Sequence, residues 1–450
     1  MATRKKKPVS KKKPAAKKKP AAKKKPAAKK KPAAKKKPAA KRKPVAKKKP
    51  AAKKKPVSKK KSKSTLKAPA KQTVSRSRGA AQKKTDENTV GTINKSAHKI
   101  HQKINKLVAP EIKTPVRSLS NVTYDKKKGF FEIGKNMKTR SLSVNTVKTF
   151  AQTLKMMSLS KDLVLSNDFA TKRDAYYQSK NWGQAKFTDQ PESDTVMDDI
   201  EAMFSIDGLT REQLRFVPDQ HGGAVAGALT VIDRDRETGE AIEIDCTRFG
   251  SGAYSVPSWV EHLQFKTKAK FIMCIETQGM FQRLQSHNYW RKANCILVSM
   301  GGVPTRACRR FVRRLAETAK IPVYAFTDCD PYGIGNIYRT LKVGSGNAAH
   351  INQFFCVPNA TYMGLMPQDI KEYGLEKATH PLGDQDIKRA KDALKNDPFF
   401  QAYAPWRKAI QMMIKSGVRA EQQALSLHGL NFVMEEYLPN KLKNKNKFLP

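Results

Sequence analysis

The sequence predicts an α/β fold built on a parallel sheet and preceded by a long disordered basic tail. Two observations predict the sheet. From residue 269 to 357, apolar strand-like runs alternate with amphipathic stretches, and strand–helix–strand order gives parallel neighbours joined by right-handed crossovers. Acidic residues also close two of those runs, Glu276 after FIMCI and Asp328 and Asp330 after VYAF. A third observation predicts the tail. Residues 1–85 hold 34 Lys and 4 Arg with no acidic residue, which leaves only +14 of the formal +52 for the rest of the 450-residue chain.

Residues 1–64 repeat a hexad of the type AAKKKP, with Pro at positions 8, 14, 20, 26, 32, 38, 44, 50 and 56. A proline in every hexad removes a helix donor each turn and a half, and the Lys triplets repel. Such a segment cannot bury a core and is expected to be disordered. Its natural partner is a polyanion, and its contacts are expected to be sequence-independent, through counterion release. Nucleic acid fits better than a membrane surface, because no apolar helix face accompanies the lysines. Removing residues 1–64 is therefore expected to flatten the dependence of log affinity on log salt in a DNA-binding titration. An unchanged slope would refute the assignment.

Residues 65–88 continue as a Ser/Thr/Lys linker, and order is expected from about Val90. Ile93, Ala97, Ile100, Ile104 and Leu107 recur at helical spacing until Pro110. Phe130–Ile133 is a short strand candidate closed by Gly134. Val144, Val147, Phe150, Leu154 and Met157 mark a helix, and Leu163–Leu165 a brief apolar link. Asn167 or Asp168 is placed to cap a second helix, DFATKRDAYYQSKNW. The pair has the outline of a helix–turn–helix with Lys172, Arg173, Tyr176 and Tyr177 on its second helix. A further helix covers Asp194–Phe204. Period-two runs at residues 224–233 and 241–249, joined by RDRETGE, predict a hairpin.

Within the alternating region, Phe271–Ile275, Cys295–Ser299, Val323–Phe326 and Phe354–Val357 read as strands. Gly279–Gln285, Thr305–Ala319 (basic, capped by Thr305) and Ile334–Leu341 read as helices. Helices around residues 386–396 and 404–416, and a closing helix beginning in VRAEQQALSLHGLNFVMEEYLP, read as packing elements. Six cysteines form no C-x-x-C pair, so neither zinc ligation nor a disulfide framework is expected, which fits a reducing compartment. No run approaches the ~18 apolar residues of a membrane span.

Residues i and i+2 of a strand point the same way, so Asp328 and Asp330 project together from a strand's carboxyl end, where open α/β sheets bind ligands. Adjacent like charges repel, and a hard divalent cation such as Mg²⁺ is the usual compensation for paired carboxylates. The alternative is a solvated Asp-Pro-x-Gly turn. Glu276 on the same sheet edge weighs toward the cation. Tyrosine, with a pKa near ~10, is a poor nucleophile at neutral pH, and Lys172 and Arg173 are the cations beside it that could stabilise a phenolate and a phosphate. Tyr176 and Tyr177 lie about 100° apart on a helix, so only one of them faces a given ligand.

The segments FIMCIETQGMFQRL, MGGVPTRACRRFVRRL and PVYAFTDCDPYGIGNIYRTLKVGS resemble the Toprim domain of the DNA topoisomerase VI A-subunit family. TKRDAYYQS resembles that family's catalytic-tyrosine motif, and RSLSN and RAEQQALSLHGLNFVMEEYLP resemble its other characteristic segments. The likeness is colinear over roughly residues 90–445 and leaves the Lys-Pro tail outside. At Asp174 the family often has Glu, a conservative departure. The resemblance implies four regions: tail and linker (1–88), an N-terminal helix and connector (89–140), a winged-helix-like tyrosine domain with the following hairpin (141–265), and a Toprim metal-binding domain with C-terminal helices (266–450).

The same resemblance implies the chemistry of a type IIB topoisomerase. Tyr177 would attack double-stranded DNA to leave a 5′-phosphotyrosyl break. Glu276, Asp328 and Asp330 would hold Mg²⁺, and Lys172, Arg173 and Arg306 would contact the DNA backbone, Arg173 also assisting catalysis. The family pattern pairs the tyrosine of one protomer with the metal site of another. It implies a homodimer of A subunits joined to two B subunits, which use the ATP. Two other readings remain, a stand-alone DNA-breaking transesterase of the meiotic kind and a non-catalytic DNA-compacting protein. The expected location is cytoplasmic and nucleoid-associated, or nuclear in a eukaryote.

Overall fold

A computed structural model describes residues 79–218, 222–235 and 237–450. The Lys/Pro/Ala tail predicted to be disordered lies outside these residues. Helix α1, Ala80–Asn105, starts ten residues earlier than expected and takes in the end of the predicted linker. No proline interrupts residues 80–105, and buried Asp86 anchors the first turns by a two-oxygen ion pair with Arg215 at 2.7 and 2.8 Å.

Three helices form the tyrosine domain: α2 (Val147–Leu165), α3 (Lys172–Gln178) and α4 (Gln190–Phe204). They pack around Met156, Met157, Ala175, Phe187, Val196, Met197, Ile200 and Phe216. Helix α2 absorbs the stretch Leu163–Leu165 that the sequence suggested as a link, because buried Val164 continues its inner face. A two-residue parallel pair, Ala170–Thr171 with Phe216–Val217, leads into α3.

The second core surrounds a six-stranded sheet. In chain order its strands are β1 (Ala224–Gly227), β2 (Tyr254–Ser255), β3 (Phe271–Ile275), β4 (Cys295–Ser299), β5 (Val323–Phe326) and β6 (Ala360–Gly364). Their order across the sheet is β2-β1-β4-β3-β5-β6. Strands β4, β3, β5 and β6 are mutually parallel, and β1 joins antiparallel to β4. Every residue of β3, β4 and β5 is buried, as the continuous apolar runs require when helices cover both faces of a sheet. Each fully buried Ile, Leu or Phe there contributes on the order of 1.5–3 kcal/mol over exposure. A charged residue at Ile272 would break this layer.

The chain runs from β3 through α5 (Gln278–Ser286) to β4 on one side, then returns through α6 (Arg306–Ala319) to β5 on the other. The connection therefore reverses between β3 and β5, the kind of crevice in which open parallel sheets place ligands. The last strand is β6, not Phe354–Val357. That apolar run instead ends the short helix Asn352–Phe355, with Pro358 two residues before β6 begins. Leu229–Arg234 and Ala241–Asp245 pair as the predicted hairpin, extended by Gln264–Thr267, while Ala224–Gly227 leaves it to enter the main sheet. No helix among the described residues is long and apolar enough to cross a membrane.

Candidate active site

Glu276 is the first residue after β3. Its amide donates to the carbonyl of Phe326 at the end of β5 (3.0 Å), so the two strand ends are held level. Its Oε2 accepts the Asp328 amide at 2.9 Å. Asp328 Oδ1 accepts the Gln422 amide at 2.8 Å, and Asp330 Oδ1 accepts the Gly333 amide at 2.5 Å. Arg419 Nη1 stands 3.7 Å from Asp330 Oδ2. A Cβ on Gly333 would lie 2.8 Å from the Asp328 carbonyl, 3.1 Å from Glu276 Oε2 and 3.3 Å from Asp330 Oδ1. Both carboxylates thus converge on one gap that only a glycine leaves open. Gly333 begins a π-helical turn, Gly333–Tyr338, a distortion that recurs at functional sites.

Burial pushes the Glu276 carboxyl up to about 8, and Asp328, Asp330 and Glu421 push the same way against the Asp328 amide. Burial likewise raises Asp328 to about 6, with Asp330 and Glu421 adding to it and the Gln422 amide and Arg419 opposing it. Carboxyls so displaced hold a charge deficit that a divalent cation would fill, and their oxygen-only donor set suits Mg²⁺. No three Asp, Glu, His or Cys side chains among the described residues already stand in coordinating geometry. Glu276 and Asp330 are turned to neighbouring amides, so rotamer changes would accompany binding. Read by its residues, the segment Arg419–Gln422 is a packing element, although the stretch it opens resembles a characteristic segment of the family. Its approach to Asp328 and Asp330 is long-range, and that likeness does not show these contacts.

Tyr177 lies on α3, exposed to 63%. Thr171, not Asn167 or Asp168, caps this helix. Its Oγ1 accepts the Asp174 amide at 3.1 Å, and Asp174 Oδ2 accepts the Thr171 amide at 2.9 Å. This reciprocal capping box occupies Asp174 and fixes the phase of the helix. Ala175 therefore faces the core, Tyr176 is half-buried and Tyr177 points outward. Tyr176 donates to the Thr188 carbonyl at 3.4 Å and lies under Lys180 Nζ, 4.1 Å from its ring centre. Tyr177 has no hydrogen bond, ion pair or ring contact with Glu276, Asp328 or Asp330 among the described residues.

The three cations assigned to DNA separate. Arg173 is exposed. Lys172 is tied to α4 through Asp194 and Asp198, each at 3.4 Å. Arg306 is further from a phosphate role. It bonds Glu212 at 2.9 and 2.8 Å and Glu201 at 3.2 and 2.5 Å, all within the protein. Burial raises Glu201, yet Arg306, His350 and Arg211 outweigh it and hold the carboxyl well below its usual range. Arg310 and Arg314 of α6 are also spent internally. Arg310 pairs with Glu261 at 2.6 Å, and Arg314 donates to the carbonyls of Val260 and Leu263. Much of the basic face predicted for this helix is an internal brace, because the 254–263 segment, α4 and the residues after α4 supply its acceptors.

Three family signatures match in succession. Residues 148–215 match the type IIB DNA topoisomerase domain, 219–269 the all-β domain of the DNA topoisomerase VI α chain, and 271–442 the Toprim domain of the topoisomerase 6 A-subunit/Spo11 group. The A subunit of type 2 DNA topoisomerase 6 from Methanocaldococcus jannaschii is 48% identical over 371 residues, 82% of this chain and 99% of that protein. The chain belongs to the DNA topoisomerase VI A-subunit family. Proteins of the same name from Methanothermobacter thermautotrophicus (37% identity, 74% of this chain and 91% of that one) and Pyrococcus abyssi (34%, 79% and 93%) agree. The topoisomerase VI A family comprises the DNA-cleaving subunits of type IIB topoisomerases; strands β3 to β6 fall within the Toprim match, while β1 and β2 come from the residues that match the all-β domain. Membership in a family of A subunits implies a B partner.

Proposed function

We propose that this chain cleaves duplex DNA through Tyr177, with Glu276, Asp328 and Asp330 holding Mg²⁺, in a homodimer of A subunits bound to two B subunits. The observation that carries the reading is the division of the site. An exposed tyrosine stands on a capped helix, a carboxylate cluster with Asp328 buried and Glu276 and Asp330 half-buried stands on a sheet edge, and the two make no contact among the described residues. Tyr177 Oη attacks the phosphorus as its proton is given up; the new O–P bond replaces the bond to the 3′ oxygen, which leaves as the strand's free 3′-hydroxyl, so one proton is lost at the tyrosine and one gained at the leaving oxygen. Arg173 is exposed and precedes Tyr177 by about one turn of the same helix, so its guanidinium can reach the oxygens of the phosphate under attack. The capping box keeps the helix from rotating during this exchange. Mg²⁺, when bound, supplies charge neutralisation at the phosphate and the departing oxygen. The reverse attack reseals the strand without ATP, which is consumed by the B subunit during duplex passage.

The direct test is relaxation of supercoiled plasmid by the full-length chain with a cognate B subunit, ATP and Mg²⁺. Relaxed topoisomers are expected, with protein linked to 5′ ends. If only linear, protein-linked product forms, the chain is a break-making transesterase rather than a strand-passage enzyme.

The carboxyl cluster also sets a pH dependence. The folded-state values of Glu276 and Asp328 lie above those of unfolded Glu and Asp. Across that interval the unfolded chain binds fewer protons than the folded one. These groups therefore destabilise the cation-free protein progressively between about pH 4 and pH 8. A divalent cation is expected to reverse that loss. Thermal midpoints with and without Mg²⁺ should diverge from about pH 6 to pH 8, and a constant difference would contradict the assignment.

A further inference from the structure

Gln422 is fully buried, and three of its hydrogen bonds reach residues at the two carboxylate-bearing strand ends. Its amide donates to Asp328 Oδ1 at 2.8 Å. Its side-chain Nε2 donates to the Phe326 carbonyl at 2.9 Å, the same oxygen that accepts the Glu276 amide. Its Oε1 accepts the Thr277 hydroxyl at 2.9 Å. Thr277 is the neighbour of Glu276, and it caps α5 by accepting the Met280 amide. One side chain therefore spans from the residue beside Glu276 to the end of the strand that carries Asp328. The register is set by a short antiparallel bridge in which Cys329 and Ala420 exchange hydrogen bonds at 2.8 and 3.1 Å. That bridge puts Gln422 beside Asp328 and Arg419 beside Asp330.

We propose that Gln422 is a positioning residue that fixes the separation of Glu276 and Asp328, so that the pair takes a divalent cation with little rearrangement of the backbone. This rests on the reading of those carboxylates as the Mg²⁺ site. The chemistry selects a primary amide. The position needs a donor toward a carbonyl and an acceptor toward a hydroxyl on one planar group, and it must stay neutral beside three carboxylates. Glutamate would set an oxygen against the Phe326 carbonyl and add a negative charge. Methionine would keep the volume and lose both side-chain bonds. Groups that orient metal ligands typically carry an effect of about 10–100-fold on affinity when removed.

The test is a Mn²⁺ titration of the full-length chain, read by electron paramagnetic resonance without DNA, beside the thermal midpoint of each metal-free variant. Gln422→Met is expected to weaken Mn²⁺ binding about 10-fold or more, and Gln422→Glu to do no better. If Gln422→Met does not fold, Gln422→Asn carries the test, since it keeps the amide and withdraws it by one methylene. Mn²⁺ binding equal to wild type in the folded variant, even with a lowered midpoint, overturns the proposal and leaves Gln422 a packing residue. Asp328→Asn is the control for the underlying reading. If it binds Mn²⁺ as wild type does, or if wild type binds none, the carboxylate assignment itself fails and the role of Gln422 falls with it.

Discussion

A mixed dimer of one Tyr177→Phe protomer and one Asp330→Asn protomer is expected to nick DNA in one strand, although each homodimer alone is inactive. If the tyrosine of one chain serves the carboxylates of its partner, the mixed dimer contains one complete site. That site joins Tyr177 of the Asp330→Asn protomer to the intact cluster of the Tyr177→Phe protomer. If each chain were self-sufficient, neither site would be complete and no cleavage would follow. The exposure of Tyr177, and the lack of any contact between it and the cluster among the described residues, favour the first outcome. The Tyr177→Phe homodimer should lose covalent protein–DNA adduct entirely while binding DNA as before. Tyr176→Phe should keep most of its activity, because that hydroxyl is engaged with the Thr188 carbonyl. Adduct on Tyr177→Phe would reassign the nucleophile.

Arg306→Ala is expected to destabilise the fold by about 3–5 kcal/mol, the usual cost of stripping one partner from a buried ion pair. Glu201 and Glu212 are almost wholly buried, and Arg306 is their main compensation. Removing the guanidinium leaves two carboxylates facing each other without solvent. Adding Glu201→Gln and Glu212→Gln should recover much of the loss, since the unpaired charges rather than the missing contact dominate it. Denaturant unfolding of the three proteins measures this. A fall in DNA affinity with unchanged stability would instead restore Arg306 to the phosphate role that the sequence suggests.

The strands that position the site are legible because they are short and almost wholly apolar, two of them followed by acidic residues. FIMCI, CILVS and VYAF begin and end where their composition places them. The tyrosine helix is legible too, but its cap is not. Asn167, Asp168 and Thr171 are all competent N-caps, and only the Thr171–Asp174 reciprocity decides among them. Positive charge is the misleading signal. Lys172, Arg306 and Arg310 have the composition of a DNA-binding surface, yet their carboxylate partners lie 22 residues or more away in sequence and become neighbours only on folding. Gln422 is hidden for the same reason. Its segment carries a family likeness, but what a neutral residue there touches shows only when its three partners are seen together.

The bridge between Cys329 and Ala420 has a bearing on biosynthesis. A ribosome releases residue 330 well before residue 420, so the nascent chain carries its tyrosine and all three carboxylates while the brace on Asp328 is still unmade. The proposed metal site therefore gains this brace only after residue 422 has been made, some ninety residues after Asp330.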